Sequence, residues 1–204
     1  MPVTFRGAII DVETSDLFPS RGEVITFGFF SAGEIRIYQK TEQGDDYEFD
    51  SIVRSALKLL PRPFFAYNSD FETSWLGVRF ELDLMIKWKR LTEDLKGNSN
   101  FIKKWPRLSE LISIPYEYYR GKVENSGSEI VKLWKMYLKT RDKLNLLRII
   151  YHNKYDLIRE CCLLLWDEDT IRLFAEIIEF ESENPKTIEE ESISKGRQYS
   201  DHTK

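Results

Sequence analysis

Residues 7–86 alternate between strand-like and helix-like hydrophobic patterns, and this order restricts the possible folds more than any other feature of the sequence. Four short runs are apolar and rich in β-branched or aromatic residues, which is typical of strands. These runs are residues 7–12, 24–30, 34–38 and 64–67, with a tight turn at 31–33. The apolar positions of residues 51–60 instead recur with the helical period, which stops at Pro61. A strand, a hairpin, a helix and a strand in this order predict an α/β fold with a mixed sheet, in which the helix crosses over to the later strand.

The rest of the chain is predicted to be mostly helical. Residues 71–80 are expected to form a helix, and residues 81–86 a further short strand. Later helical segments are residues 108–112, 129–139, 141–166 and 169–181, with an irregular loop at 118–127. We therefore expect one domain over residues 1–180. Residues 181–204 contain almost no large apolar side chains, which predicts a disordered, acidic C-terminal tail.

The charges are unevenly distributed along the chain, although the formal net charge is only −4. Residues 85–150 carry a net charge of +8, whereas residues 1–84 and 151–204 each carry −6. A basic segment can bind phosphates even in an acidic chain, because affinity for nucleic acid depends on the phosphates that are neutralised locally. The alternative is a lysine-rich helix face in solvent, which charge alone favours.

The sequence predicts neither a membrane span nor a secretory signal. The longest purely apolar run is residues 161–166, far short of the roughly 18 residues that cross a bilayer. The N-terminal sequence MPVTFRGAIIDVET lacks the basic start, apolar core and cleavage site of a signal peptide. We therefore expect a cytoplasmic protein without a membrane partner.

Two carboxylates lie in the first predicted strand. Asp11 and Glu13 are two residues apart, so the strand period directs both to the same face. Their Cα atoms would be about 6–7 Å apart, and carboxylates this close in a buried strand repel each other unless a cation lies between them. Oxygen ligands favour Mg²⁺ or Mn²⁺ over zinc. The alternative is that both side chains simply leave the sheet into solvent.

A second polar segment, residues 66–76, runs from a strand end into a helix start. Such junctions present side chains and free N–H groups to ligands. However, Ser69 or Asp70 could equally cap the helix, and the helix dipole favours acidic residues in a first turn without any function. The segment alone leaves both interpretations open.

The third polar segment lies in the long predicted helix. His152 and Asp156 are four residues apart and therefore share a helix face. The polar residues on that face are Asn145, Arg148, His152, Asp156 and Arg159. The apolar residues opposite, expected to form the packed side, are Leu147, Ile150, Ile158, Cys161 and Leu165. On this helix alone, the pattern favours a polar face that is exposed to solvent.

Together, the three segments resemble the three motifs of the RNase H-like DEDD exonuclease superfamily, most closely the branch related to the exonuclease domain of family-B DNA polymerases. Residues 9–14 (IIDVET) resemble motif I, a hydrophobic strand followed by D-x-E-T. Residues 67–76 (YNSDFETSWL) resemble motif II, usually Y-N-x-x-F-D-x-x-x-L, and residues 152–157 (HNKYDL) resemble motif III, usually Y-N-x-x-D-V. The resemblance spans about residues 7–167 and implies an RNase H-like mixed β-sheet, an antiparallel hairpin plus parallel strands, flanked by helices.

The resemblance implies a nuclease that hydrolyses phosphodiester bonds with two Mg²⁺ or Mn²⁺ ions, as a 3′–5′ exonuclease on single-stranded DNA or RNA. In this assignment Asp11 bridges both ions, and Glu13 and Asp156 complete one site. Glu72 supports the second ion, directly or through water. His152 orients or deprotonates the attacking water.

Two positions depart from the usual motifs. Glu72 stands where most members have Asp, which lengthens the ligand by one methylene. His152 stands where such enzymes place a Tyr, whereas members that use His place it at the position of Tyr151. Either His152 or Tyr151 could therefore position the water.

The motif II alignment gives Asn68 a polar role on the substrate side. Basic residues near aromatic ones are typical of single-strand binding. The residues of this kind are Lys87, Lys89, Arg90, Lys103 and Lys104. Two alternatives remain open: a structure-specific or RNA-directed endonuclease on the same fold, and a nucleic-acid-binding or partner-docking module with a weak site. The tail could contact a protein partner.

Overall fold

The computed structural model describes residues 6–44, 46–90, 106–112 and 127–166. Its five strands are β1 (Ala8–Thr14), β2 (Val24–Ser31), β3 (Glu34–Gln39), β4 (Phe64–Ala66) and β5 (Leu82–Asp83). They form one sheet in the order β3-β2-β1-β4-β5. β1, β2 and β3 pair antiparallel, whereas β4 is parallel to both β1 and β5. The predicted mixed sheet is therefore confirmed.

Five helices surround this sheet in the described part of the chain, and residues 86–90 are helical as well. The five are α1 (Tyr47–Leu59), α2 (Ser69–Leu76), α3 (Leu108–Leu111), α4 (Gly127–Thr140) and α5 (Lys143–Trp166). α1 is the predicted crossover between the hairpin and the parallel strand β4. The predicted helix at 169–181 and the tail lie outside the described residues. No described helix is long and apolar enough to cross a membrane.

The ends of three elements differ from the sequence-based prediction, each for a local reason. α1 begins at Tyr47 rather than at residue 51, because the Asp46 side chain caps it by accepting the Phe49 N–H at 3.0 Å. α2 ends at Leu76 rather than at residue 80, because Gly77 adopts the left-handed conformation that terminates helices. β5 has only two residues, since the chain turns after it and becomes helical at residue 86.

Alternation along β1 directs its side chains to the two faces of the sheet. Ala8, Ile10 and Val12 belong to the hydrophobic cluster that includes Phe49 of α1. Ile9 instead belongs to a cluster with residues of α5, among them Leu157. By the same period of two, Asp11 and Glu13 lie on the α5 face. The fold thus places both carboxylates between the sheet and its longest helix.

The predicted packed side of α5 is wrong at Leu147 and Leu165. Leu147 is exposed and Leu165 is 74% exposed, whereas two residues of the predicted solvent face, Asn145 and Arg159, are buried. The apolar contacts of α5 come mainly from Leu146, Ile149, Leu157, Leu163 and Leu164, and Cys161 of the predicted set packs against the same core. The physical reason is that polar side chains of α5 have buried partners: Arg159 binds Asp156 and the main-chain oxygen of Ile112, and Asn153 binds Asp11 of the sheet.

Candidate active site

β1 presents its two carboxylates from the centre of the sheet. Asp11 lies opposite Gly28 of β2 and Glu13 lies opposite Thr26, so strands on both sides fix the backbone of β1. The register shifts directly after Glu13, where an irregularity begins. Glu13 is buried, and Asp11 is partly shielded. The strand therefore holds two acidic side chains on a rigid element.

α5 brings the histidine of the third segment to the carboxylates of the first. His152 Nε2 lies 3.5 Å from Asp156 Oδ2 and 3.9 Å from Glu13 Oε1. Both Asp156 and His152 are largely but not fully buried, so this side of the site is reachable from solvent. The three predicted residues His152, Asp156 and Glu13 are thus brought together.

The junction between β4 and α2 positions Glu72. Asn68 has a left-handed backbone (φ 74°) and is the N-terminal cap residue of α2, and its N–H donates to Asp83 Oδ1 at 3.0 Å. Glu72, one turn into the helix, is buried, and one of its oxygens, Oε2, has no hydrogen-bond partner among the described residues. Asp70 is 92% exposed and lies outside this buried group. The structure therefore separates the two acidic residues of α2.

The carboxylates of the site influence one another electrostatically. Burial is the main cause that raises the pKa of Asp11, and the charge of Asp156 raises it further. Burial likewise raises the pKa of Glu13, followed by the charges of Asp11, Asp156 and Glu72. Burial and the charge of Asp11 raise the pKa of Glu72. The four carboxylates from β1, α2 and α5 therefore form one electrostatic group.

This donor set fits a hard divalent cation. All four predicted ligands offer carboxylate oxygens, and Glu72 Oε2 is buried without a hydrogen bond from the described residues. A cation would relieve the mutual repulsion that raises these pKa values. Within the described ranges, no three His, Cys, Asp or Glu side chains are already arranged to hold a metal ion.

A comparison with models of known protein families identifies the superfamily of this chain. The profile of the RNase H superfamily matches residues 8–167, which include all three polar segments. The chain belongs to the RNase H superfamily. This membership supports a nuclease activity and accounts for the mixed sheet with its flanking helices.

Solved structures similar to this RNase H superfamily member include nucleases. One, described as the apo form of the nuclease, is 16% identical with a TM-score of 0.34, and the match covers 80% of this chain and 87% of that chain. Another, Brucella melitensis NrnC with bound Mg²⁺, is 16% identical with a TM-score of 0.35 and coverages of 88% and 89%. A search of curated proteins found no match.

Three buried polar residues of α5 complete the surroundings of the site, and the sequence patterns did not single them out for a role in it. Asn153 donates its Nδ2 to Asp11 Oδ2 at 2.7 Å. Arg159 donates its Nη1 to Asp156 Oδ1 at 2.7 Å. Glu160 accepts the Tyr67 N–H at 2.8 Å. The i,i+3 spacing could have indicated the pair of Arg159 and Asp156. No local spacing could have indicated the distant partners of Asn153 and Glu160.

The residues predicted to contact nucleic acid occupy different environments. Lys87 and Arg90 are exposed. Lys89 instead directs its ammonium to Asp83 Oδ2 at 2.6 Å, on the carboxylate that also accepts the Asn68 N–H. Lys103 and Lys104 lie outside the described residues. The nucleic-acid contacts therefore remain predictions.

The buried acids predict an unusual pH dependence of stability. Burial, followed by the charges of Asp11 and Glu72, raises the pKa of Glu160 above its unfolded value of about 4.3. Its contribution to stability is thus fully present below that value and is lost as pH rises through the folded pKa. In metal-free buffer at pH 8, we expect Glu160→Gln to be more stable than wild type by about 2 kcal/mol.

Urea unfolding from pH 5 to pH 8 in the presence of a chelator measures this difference, which should grow with pH. Glu34→Gln is the matched control, because Glu34 is exposed and paired with Arg36 on the protein surface. A difference that shrinks as pH rises would contradict the predicted charge repulsion.

Proposed function

We propose that this protein is a divalent-metal-dependent nuclease that acts as a 3′–5′ exonuclease on single-stranded DNA or RNA. The observation that carries the proposal is the group of four carboxylates, contributed by β1, α2 and α5, beside a partly accessible histidine. Superfamily membership supports the nuclease class. The exonuclease direction and the single-stranded substrate rest on the resemblance of the three motifs.

Asp11, Glu13, Glu72 and Asp156 would hold Mg²⁺ or Mn²⁺. When bound, such ions supply positive charge that stabilises the negative charge developing on a phosphodiester during hydrolysis. The protein's own contribution is to keep the four acids close on rigid elements, two on a central strand and two on helices. Burial excludes water from Glu13 and Glu72, which strengthens their interaction with a cation.

His152 would orient the attacking water and accept its proton. The imidazole is the one histidine side chain of the described residues, and it lies at the partly exposed edge of the carboxylate group. An imidazole is a capable general base near neutral pH. Tyr151, the alternative, stacks on Tyr155 with ring centroids 6.0 Å apart. This packing favours His152 for the role.

Exposed apolar side chains close to the site suit a flexible single strand. β1 leads directly into Leu17 and Phe18, and both are exposed. Bases without a complementary strand stack on aromatic side chains such as Phe18, and the exposed Lys87 and Arg90 could bind the backbone phosphates. A stacked, unpaired end is the substrate geometry that an exonuclease requires.

Linear and circular single-stranded DNA of matched sequence test the proposal. With Mn²⁺ or Mg²⁺, a 5′-labelled linear strand should shorten from its 3′ end and release nucleoside monophosphates, while the circle stays intact. A strand with a blocked 3′ end is the matched substrate control and should resist shortening. Cleavage of the circle would instead establish an endonuclease. Binding of the linear strand without cleavage in either metal would establish a binding module.

A further inference from the structure

Asn153 is a fully buried polar residue next to the carboxylate group. It is 0% exposed, and its Nδ2 donates both to Asp11 Oδ2 at 2.7 Å and to the Asp11 main-chain oxygen at 3.1 Å. A single amide thus binds the side chain and the backbone of the same residue. Two bonds to one residue restrict the rotation of the Asp11 carboxylate about its side-chain torsions.

The sheet has a specific space for this amide. Gly28 lies opposite Asp11 in the β1–β2 register, and a Cβ atom at Gly28 would lie 1.9 Å from Asn153 Oδ1. The same Cβ would lie 2.9 Å from the Leu157 Cδ1 atom. Because Gly28 has no side chain, the Asn153 amide can lie against β2 and reach Asp11.

The hydrogen bonds of Asn153 do not suit a purely structural role. Its Oδ1 is buried and has no hydrogen-bond partner among the described residues. A buried polar atom without a partner costs roughly 1–3 kcal/mol, whereas an apolar residue of similar shape avoids that cost. The helix therefore carries an energetically costly amide at a position from which it reaches Asp11.

We propose that Asn153 is a positioning residue that orients the Asp11 carboxylate for cation binding, and that Gly28 provides the space it needs. This inference rests on the proposed function. Asn153 does not itself contact the cation; it acts through the orientation of Asp11, in the way that groups around metal ligands commonly tune affinity.

Calorimetric titration with Mn²⁺ alone tests this role without measuring catalysis. Asn153→Ala is expected to weaken Mn²⁺ binding by about 10- to 100-fold. Asn153→Leu is the second variant, because it fills the space but cannot donate a hydrogen bond, and it should weaken binding equally if Asn153→Ala fails to fold. Asn145→Ala is the matched control, since it removes a buried asparagine two turns earlier on α5. It should bind Mn²⁺ as wild type does.

The outcomes separate this inference from the proposed function. If wild type binds Mn²⁺ and Asp11→Ala does not, but the folded Asn153 variants bind within twofold of wild type, the positioning role is refuted and the proposed function stands. If wild type itself binds no Mn²⁺, the proposed function fails and this inference fails with it.

A metal-free experiment tests the role of Gly28. Gly28→Ala should destabilise wild type strongly but should have much less effect in the Asn153→Ala background, because the closest clash is then gone. Equal losses of stability in both backgrounds would contradict the claim that Gly28 leaves the space that the Asn153 amide needs.

Discussion

Asp11→Asn is expected to lower the rate of phosphodiester cleavage by about 10³-fold while making the metal-free protein more stable. The rate falls because the substitution removes the central carboxylate of the proposed ligand set, and a loss of this size corresponds to about 4 kcal/mol of transition-state stabilisation. Cleavage of a labelled single strand at saturating Mn²⁺ measures it.

The gain in stability follows from the raised pKa of Asp11. At pH 7.5 the buried carboxylate is disfavoured by burial and by the charge of Asp156, whereas a neutral amide is not. The new side chain keeps an oxygen that can accept the Asn153 hydrogen bond. We expect about 2 kcal/mol of added stability, which corresponds to an increase in Tm of about 4–8 °C in the presence of a chelator.

Asp70→Asn is the matched control for both measurements. It makes the same chemical change at an exposed acidic residue of α2, so activity and Tm should both remain close to wild type. Two results would contradict the assignment of Asp11: activity above about a tenth of wild type, or a Tm below that of wild type.

Arg159→Met is expected to destabilise the fold by about 3–5 kcal/mol. Arg159 is 1% exposed, and its Nη1 lies 2.7 Å from Asp156 Oδ1 while its Nε donates to the main-chain oxygen of Ile112. Removing the guanidinium leaves the charge of Asp156 without this partner in a poorly solvated environment. Urea unfolding at pH 7.5 measures the loss.

Arg36→Met provides a control in which the ion pair has the same distance but is exposed. Arg36 and Glu34 also form an ion pair at 2.7 Å, but the two side chains are 59% and 62% exposed. Solvent weakens such pairs, so the loss should stay below about 1 kcal/mol. If Arg159→Met and Arg36→Met lower the free energy of unfolding equally, burial does not determine how much an ion pair contributes to stability. Adding Asp156→Asn to Arg159→Met should recover part of the stability, since it removes the unpaired charge.

The strands and the positions of Asp11 and Glu13 could be predicted from sequence because they depend on local hydrophobic alternation. The ends of α1 and α2 could not be predicted as well, since they depend on a cap at Asp46 and on the backbone conformation of Gly77. Sequence patterns predict whether an element is a helix or a strand more reliably than they predict its first and last residues.

The orientation of α5 could not be derived from periodicity, because that reasoning assigns polar residues to solvent. Here the polar partners lie on other elements: Asn153 binds a residue 142 positions away, and Glu160 binds one 93 positions away. The motif resemblance identified Asp156 and His152 despite this, since it uses order and spacing rather than polarity. It did not predict the partner of Arg159.

The proposed ligands lie far apart in the sequence, so the ribosome makes them at different times. Asp11 leaves the ribosome early, but the helix that supplies Asp156 and the amide of Asn153 is made after most of the domain. A nascent chain that ends before residue 143 lacks Asp156, one of the four proposed ligands, and also lacks the Asn153 amide that binds Asp11. Under the proposed function, cleavage of nucleic acid begins only once α5 has docked against the sheet and supplied Asp156.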